Sequence, residues 1–290
     1  MPDVRFDDGL RALASSEPWE LVADGFGFTE GPLWHPEHQL LFSDIPNSRI
    51  HRWRDGRLDI FREPSGGSNG LTLDIEGRVL ACEHDNRRVS RETADGGTEA
   101  LATHYDGKRL NSPNDIVVRS DGRIFFTDPP YGIREDQREL PFNGVFTLLA
   151  GEPQPRLLVD DFDRPNGLAF SPDERTLYVA DTNRHHVRAF AVAAADGTLS
   201  DGRVFAEVRE AGRPDGLKVD VDGRLFVCAT TVQVFAADGR PLGVIDCPQM
   251  PANCAWGGDD ASWLYITARS AVYRTRTSTR GVAPHLRGRR

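Results

Sequence analysis

Apolar residues along this chain fall in short runs that alternate with polar ones at period two. The stretches "LTLDIEGRVLA", "IVVRSDGRIFF", "LKVDVDGRLFV" and "TLYVADTNRHHVRAF" all read this way. Period two is the signature of a β-strand with distinct faces. Gly, Asp, Asn and Pro separate the runs, and these are turn residues. No long stretch follows the helical period. The short "FDDGLRALAS" near the start is the one helix candidate.

The runs also repeat. "TEGPLWHPE", "SNGLTLDIEG", "PNDIVVRSDG", "PNGLAFSPD", "PDGLKVDVDG" and "ANCAWGGDD" align on one slot, held by Glu30, Asn69, Asn114, Asn166, Asp215 and Asn253. Successive slots lie 39, 45, 52, 49 and 38 residues apart. Seven residues after each slot stands an acid: Glu37, Glu76, Asp121, Asp173, Asp222 and Asp260. Gly follows that acid in three copies, which marks a tight hairpin. Each copy continues into a second strand such as "LLFSD", "IFFTD" or "TLYVAD", then a third and a fourth. Four antiparallel strands per ~45 residues, repeated, describe the blades of a propeller.

Counting strands closes the ring. The last copy has only three before the basic tail. "WELVADGF", ahead of the first copy, supplies a strand with no blade of its own. The expected fold is therefore all-β: a six-bladed β-propeller closed by residues 19–24 in the last blade. Closure removes the edges that would template aggregation. Residues 1–290 read as a single domain, with 1–18 an N-terminal extension and 276–290 a solvated basic tail.

In such a blade the first strand runs nearest the central channel, so the six slot residues ring one mouth. The second strands return to the same mouth and end on Asp44, His84, Asp128, Asp181, Thr230 and Arg269, which predicts a second polar ring. Asn-Gly and Asp-Gly are turn formers first, and a merely hydrated lining would also account for polar slots. Two facts favour more. Each blade already has its hairpin turn seven residues on, and Glu30 is no turn former. Two carboxylates with several Asn amides offer only oxygen ligands, which suit a hard cation, Ca²⁺ before Mg²⁺.

Composition narrows the function classes. The net charge of −9 argues against a nucleic-acid surface. No run approaches the ~18 apolar residues that cross a membrane. The beginning of the sequence lacks a signal-peptide apolar region, so a cytoplasmic protein is the expectation. Cys82, Cys228, Cys247 and Cys254 show no CxxC spacing, and a Cys247–Cys254 bridge is not expected in that compartment. Oligomeric state has no sequence signal.

The ordered motifs "FTEGPLWHPE", "LLFSDIPNSRIHRW", "ACEHDNRRVSR", "NSPNDIVVRSDGRIFFTDPPYG", "RPNGLAFSPDERTLYVAD" and "RPDGLKVDVDGRLFV" span roughly residues 20–275. They resemble the senescence marker protein / gluconolactonase / luciferin-regenerating enzyme group of six-bladed propellers. The resemblance implies a catalytic divalent cation held by Glu30, Asn166 and Asp215. Related diisopropyl fluorophosphatases and paraoxonases add a third-blade Asn, which matches Asn114. In regucalcin-like lactonases that Asn meets substrate, with an Arg two residues before it. Here that place is Ser112, carried as a substrate-side position without the Arg. "NSPND" and "FTDPPYG" look like the microbial gluconolactonases.

The implied activity is metal-dependent opening of a sugar acid lactone. The cation would be Ca²⁺, with Mg²⁺, Mn²⁺ or Zn²⁺ as alternatives. It would polarise the ester carbonyl while water attacks. Asp215 is the expected base, with Asp128 or Asp44 as substitutes. Asn114, His84, Asp128 and Tyr131 are the expected contacts to substrate hydroxyls. Two rivals stay open: a phosphotriesterase- or arylesterase-like hydrolase, and a calcium-binding propeller without turnover. "GGSNG" formally matches a nucleophile elbow at Ser68, but an alternating strand follows where the elbow requires a helix. His185 and His186, neighbours on an expected strand, point to opposite faces and share no ion.

Overall fold

The computed structural model describes residues 4–5, 9–13, 18–37, 39–149, 151–209 and 212–282. Six antiparallel sheets follow the six repeats and form a β-propeller. Their first strands are Thr29–His35, Ser68–Leu73, Ile116–Val118, Pro165–Phe170, Leu217–Val219 and Pro251–Gly257. These contact one another in a closed circle and form the channel wall. The last sheet is completed by Glu20–Asp24, which pairs antiparallel with Ala271–Arg276. The expected closing strand is thus in place.

The alternation explains why the second strands are apolar on both faces. In "LLF", Leu40 and Phe42 pack against the sixth blade, while Leu41 packs against the second. In "IFF", Ile124 and Phe126 meet the second blade and Phe125 meets the fourth. Six hydrophobic clusters result, one at each junction between neighbouring blades. No blade could bury both faces alone, so the repeat and the ring are mutually required.

The slot is not a turn. Thr29–His35 and Gln39–Asp44 pair Glu30 with Ser43 and then Leu33 with Leu41, so the inner strand carries one extra residue. The second and fourth blades do the same between Ser68 and Leu71 and between Pro165 and Leu168. This is a β-bulge, which bends the strand and re-aims a side chain. The glycine after the slot serves close approach. A Cβ on Gly31 would overlap the Asn69 carbonyl oxygen, and one on Gly167 the Asp215 carbonyl oxygen. Only glycine lets adjacent inner strands come that near. The slot side chains are thereby turned into the channel mouth.

At both ends the described residues add contacts to the ring. Val4–Arg5 adds a fifth strand to the fifth blade, Arg5 pairs with Asp246 at 2.7 Å, and Leu10 is fully buried between blades five and six. "FDDGLRALAS" contains only a short 3-10 turn, Leu10–Ala12; residues 6–8 and 14–15 of it lie outside the described residues. The basic tail is not wholly solvated. Thr279 Oγ1 donates to Asp220 Oδ2 at 2.9 Å, and Val282 N donates to Val219 O at 3.3 Å. Val282 also lines the far mouth of the channel. Residues 283–290 lie outside the described residues. Among the described residues no helix is long and apolar enough to cross a membrane.

Candidate active site

Five of the six slot residues line one cavity of about 540 Å³: Glu30, Asn69, Asn114, Asn166 and Asp215. Asn253 lies beneath them, and its Nδ2 donates to Glu30 Oε2 at 3.0 Å. The Gly31 amide donates to the same oxygen at 2.6 Å. The amides form a relay along the floor. Asn69 Nδ2 donates to Asn114 Oδ1 at 2.7 Å, and Asn114 Nδ2 donates to Asn166 Oδ1 at 2.6 Å. Asn166 Nδ2 then donates to Thr182 Oγ1 at 3.0 Å, while the Thr182 hydroxyl donates to the Pro214 carbonyl at 2.7 Å. Buried Asn69 Oδ1 has no protein partner. Such an atom is costly unless something else meets it.

Glu30 and Asp215 are the two acids of the cavity. Burial, and then the charge of Asp115, raises Glu30 to about 7. Burial and the facing Glu30 carboxylate push Asp215 well above the usual carboxylate range. Two buried carboxylates repel each other, and a cation between them removes that cost. Lys218 is the nearby base. Its Nζ donates to Asn253 Oδ1 at 3.3 Å, and its charge favours the ionised forms of both Glu30 and Asp115. Among the described residues no cluster of three His, Cys, Asp or Glu side chains could hold a metal ion. Any cation here would be held by two carboxylates and Asn amide oxygens.

His84 and Tyr131 also line the cavity. Burial lowers His84 to about 4, so it is neutral at physiological pH. It serves there as a hydrogen-bonding imidazole, not as a cation. The Tyr131 hydroxyl donates to Thr182 Oγ1 at 3.1 Å, and burial raises it to about 12.

The second polar ring does not form as expected. Of its six members only His84 and Thr230 line the cavity. Asp44 Oδ1 accepts the Gly27 and Phe28 amides at 3.1 and 3.2 Å. Asp128 accepts the Asn111 amide at 2.7 Å and the Ser112 amide at 2.8 Å. Asp181 accepts those of Asp163 and Arg164, both at 3.0 Å. Each carboxylate thus clasps the two amides that lead into its own blade's inner strand. Asp44 and Asp128 do not line the cavity, and both carboxylates are engaged by backbone amides, which leaves Glu30 and Asp215 as the acids that face it. Burial still raises Asp128 to about 7. Ser112 is also displaced behind the wall. Its hydroxyl accepts the Gly132 amide at 3.0 Å.

The structure adds Arg164, Arg213 and Thr182, which the sequence reading passed over. All three line the cavity. The repeat holds the signal for both arginines: each stands two residues before a slot, in "RPNG" and "RPDG".

Ser68 is fully buried, and its hydroxyl lies 3.0 Å from that of Ser43. It opens the strand Ser68–Leu73 and does not line the cavity. Ser68→Ala is expected to leave ester turnover within a few-fold. A loss of about 10⁴, the size seen when a triad nucleophile is removed, would contradict this placement. His185 Nδ1 is bound to the Gly212 carbonyl at 2.8 Å, and neither His185 nor His186 reaches the cavity.

Comparison with known proteins places this arrangement. The family model described as "SMP-30/Gluconolactonase/LRE-like region" matches residues 28–270. The chain belongs to this family. The gluconolactonase of Zymomonas mobilis is 34% identical over 96% of this chain and 86% of its own length. The pentonolactonase XacC of Haloferax volcanii is 31% identical over 82% of this chain and 80% of its own. The solved structure of XC5397 from Xanthomonas campestris, a gluconolactonase, superposes with a TM-score of 0.89. It is 37% identical and covers 96% of this chain and 95% of that one. In this member of the SMP-30/gluconolactonase group, Glu30, Asn166 and Asp215 of the EGP, PNG and PDG stretches line one mouth of the channel.

Proposed function

We propose that this chain opens sugar lactones by hydrolysis. The observation that carries the reading is the convergence of five slot side chains, two of them carboxylates, on the floor of one cavity. The gluconolactonase and pentonolactonase relatives support the substrate class.

A divalent cation suits the donors present. Glu30, Asn166 and Asp215 would hold it, with Asn114 as a further oxygen ligand. The set is oxygen-only, and Asn69, whose buried Oδ1 has no protein partner, lines the same cavity. Ca²⁺ fits first, with Mg²⁺, Mn²⁺ or Zn²⁺ as alternatives. When bound, the cation supplies Lewis-acid polarisation of the ester carbonyl. The chain's own groups do the rest. Asp215 is partly open to the cavity and accepts a proton from the attacking water. Glu30 is tied down by Gly31 and Asn253 and is the worse base. Asn114, His84 and Tyr131 hydrogen-bond the sugar hydroxyls.

The cavity is two-sided. Phe28, Ile45, Ala229, Met250 and Pro251 line it on the side of blades one, five and six. That apolar wall suits the ring of an aryl ester and gives the second reading, an arylesterase- or phosphotriesterase-like hydrolase. The deciding experiment is a pH-stat assay of metal-stripped protein on lactones, aryl esters and phosphotriesters, with Ca²⁺, Mg²⁺, Mn²⁺ and Zn²⁺ re-added in turn. Lactone turnover restored by a cation is the expected result. Cation binding without turnover of any ester would leave a calcium-binding propeller.

The raised carboxylates give a readout independent of activity. Glu30 holds its proton up to about 7, against 4.5 in the unfolded chain. Its protonation therefore stabilises the fold fully below about 4.5, and that contribution is lost as pH rises through 7. With chelator present, the melting temperature should fall between pH 5 and 7.5, and added cation at pH 7.5 should restore it. Glu30→Gln should flatten the fall and blunt the response to cation. An identical pH slope in wild type and variant would remove Glu30 from the site.

A further inference from the structure

Two arginines at the cavity have no role in the reaction described so far. Arg164 and Arg213 occupy the same position in adjacent blades, each two residues before a slot and each directly before a proline. A residue before proline is held extended. The two residues therefore start about 7 Å up the chain from Asn166 and Asp215, and with Arg213 exposed and Arg164 half-buried above a buried Asn166 they sit on the rim side of the floor.

Both are held in place. The Arg164 guanidinium stacks over the Tyr131 ring at 4.9 Å, and Arg213 donates to Asn183 Oδ1 at 2.7 Å. Neither has a carboxylate within ion-pair distance among the described residues. Elsewhere Arg5, Arg52, Arg188 and Arg274 each hold an acid within 2.7 Å. The buried Nε of Arg164 has no partner at all. The site thus separates charge, with two carboxylates on the floor and two unpaired guanidinium groups at the rim.

The reacting ester must meet Glu30 and Asp215 on the floor. The carboxylate released by hydrolysis forms there too, so it is not what the rim arginines await. They meet the far end of the substrate. Arginine forks match carboxylate and phosphate groups. A volume of about 540 Å³ leaves room beyond one sugar ring.

We propose that Arg164 and Arg213 form an anion clamp, and that the preferred substrate is a sugar lactone carrying a carboxylate or phosphate at the end remote from its ester. This rests on the lactonase reading and narrows it.

The test compares kcat/KM for D-glucono-δ-lactone, its terminal phosphate ester and the δ-monolactone of glucaric acid. The readout is the ratio of anionic to neutral substrate. In wild type at least one anionic lactone should lead by about 10-fold or more, and the arm that leads identifies phosphate or carboxylate. The double variant Arg164→Met, Arg213→Met should lower that ratio by about 100-fold, roughly ten-fold per charged contact. Arg→Lys at both sites keeps the charge and should retain part of the ratio. The single variants carry the same test if the double variant does not fold. A wild-type ratio of one or less, or a ratio unchanged in the variants, overturns the clamp. If wild type opens no lactone, the lactonase reading fails separately. Calorimetry with gluconate, its phosphate ester and glucarate then still decides the clamp: tighter binding of glucarate or the phosphate ester than of gluconate, lost in the Met variants, supports it, and equal binding overturns it.

Discussion

Asp215→Asn should lower kcat by on the order of 10²–10⁴ with cation at saturation, the cost of losing a general base. Of the two cavity acids it is the more open, and Glu30 has one oxygen tied to Gly31 and Asn253. The change keeps size and one ligand oxygen but removes one of only two negative charges. Cation affinity should therefore fall as well. The two effects separate by measuring kcat at an occupancy confirmed by calorimetry. Asn166→Asp is the contrast: it adds charge, so cation binding should hold or tighten. If Asp215→Asn recovers full kcat once cation saturates, Asp215 is a ligand only. The base would then have to be Glu30, because Asp44 and Asp128 are both committed to backbone amides. Unchanged cation affinity in Asp215→Asn would instead remove the slot as a cation site.

The blades were legible because strand alternation and the repeat are both written in local sequence. The closing strand followed from counting, since the last repeat lacks one. The slot's convergence also followed, because a repeat carries each copy to the same height in the ring. What failed was the direction of short acidic side chains. Asp44, Asp128 and Asp181 end their strands at the right mouth, yet each turns back onto two amides that no sequence pattern marks as needing a partner. That Asn-Gly is no turn here has a related cause. The glycine answers to the neighbouring blade, about 45 residues away by the repeat, and not to its own local backbone. The rim arginines were legible in principle. They recur at one offset from the slot, but their meaning depends on having no acid nearby, which only the packed structure shows.

Removing residues 1–24 should destabilise the whole ring, because the closing strand is shared between the two ends of the chain. Glu20 pairs with Arg274 in register, and their side chains meet at 2.7 Å. Arg274 is in turn stacked over Trp263 at 4.2 Å and Trp53 at 5.1 Å, so the strand also steadies the junction of blades six and one. Val22 packs into that junction's core. Without the strand, Ala271–Arg276 becomes an open edge, which invites pairing with another chain. A drop of at least about 10 °C in melting temperature is expected, since each kcal/mol is worth about 2–4 °C at this size. Deleting residues 1–18 is the proper control. It removes Val4 and Leu10 from the junction of blades five and six and has its own cost, but leaves the ring closed. The difference between the two truncations therefore isolates Glu20–Asp24. Val22→Asp, which keeps the backbone pairing and spoils only the packing, should fall between them. Equal melting temperatures for the two truncations would mean that three strands suffice in the sixth blade and that the ring is held by the blade junctions alone.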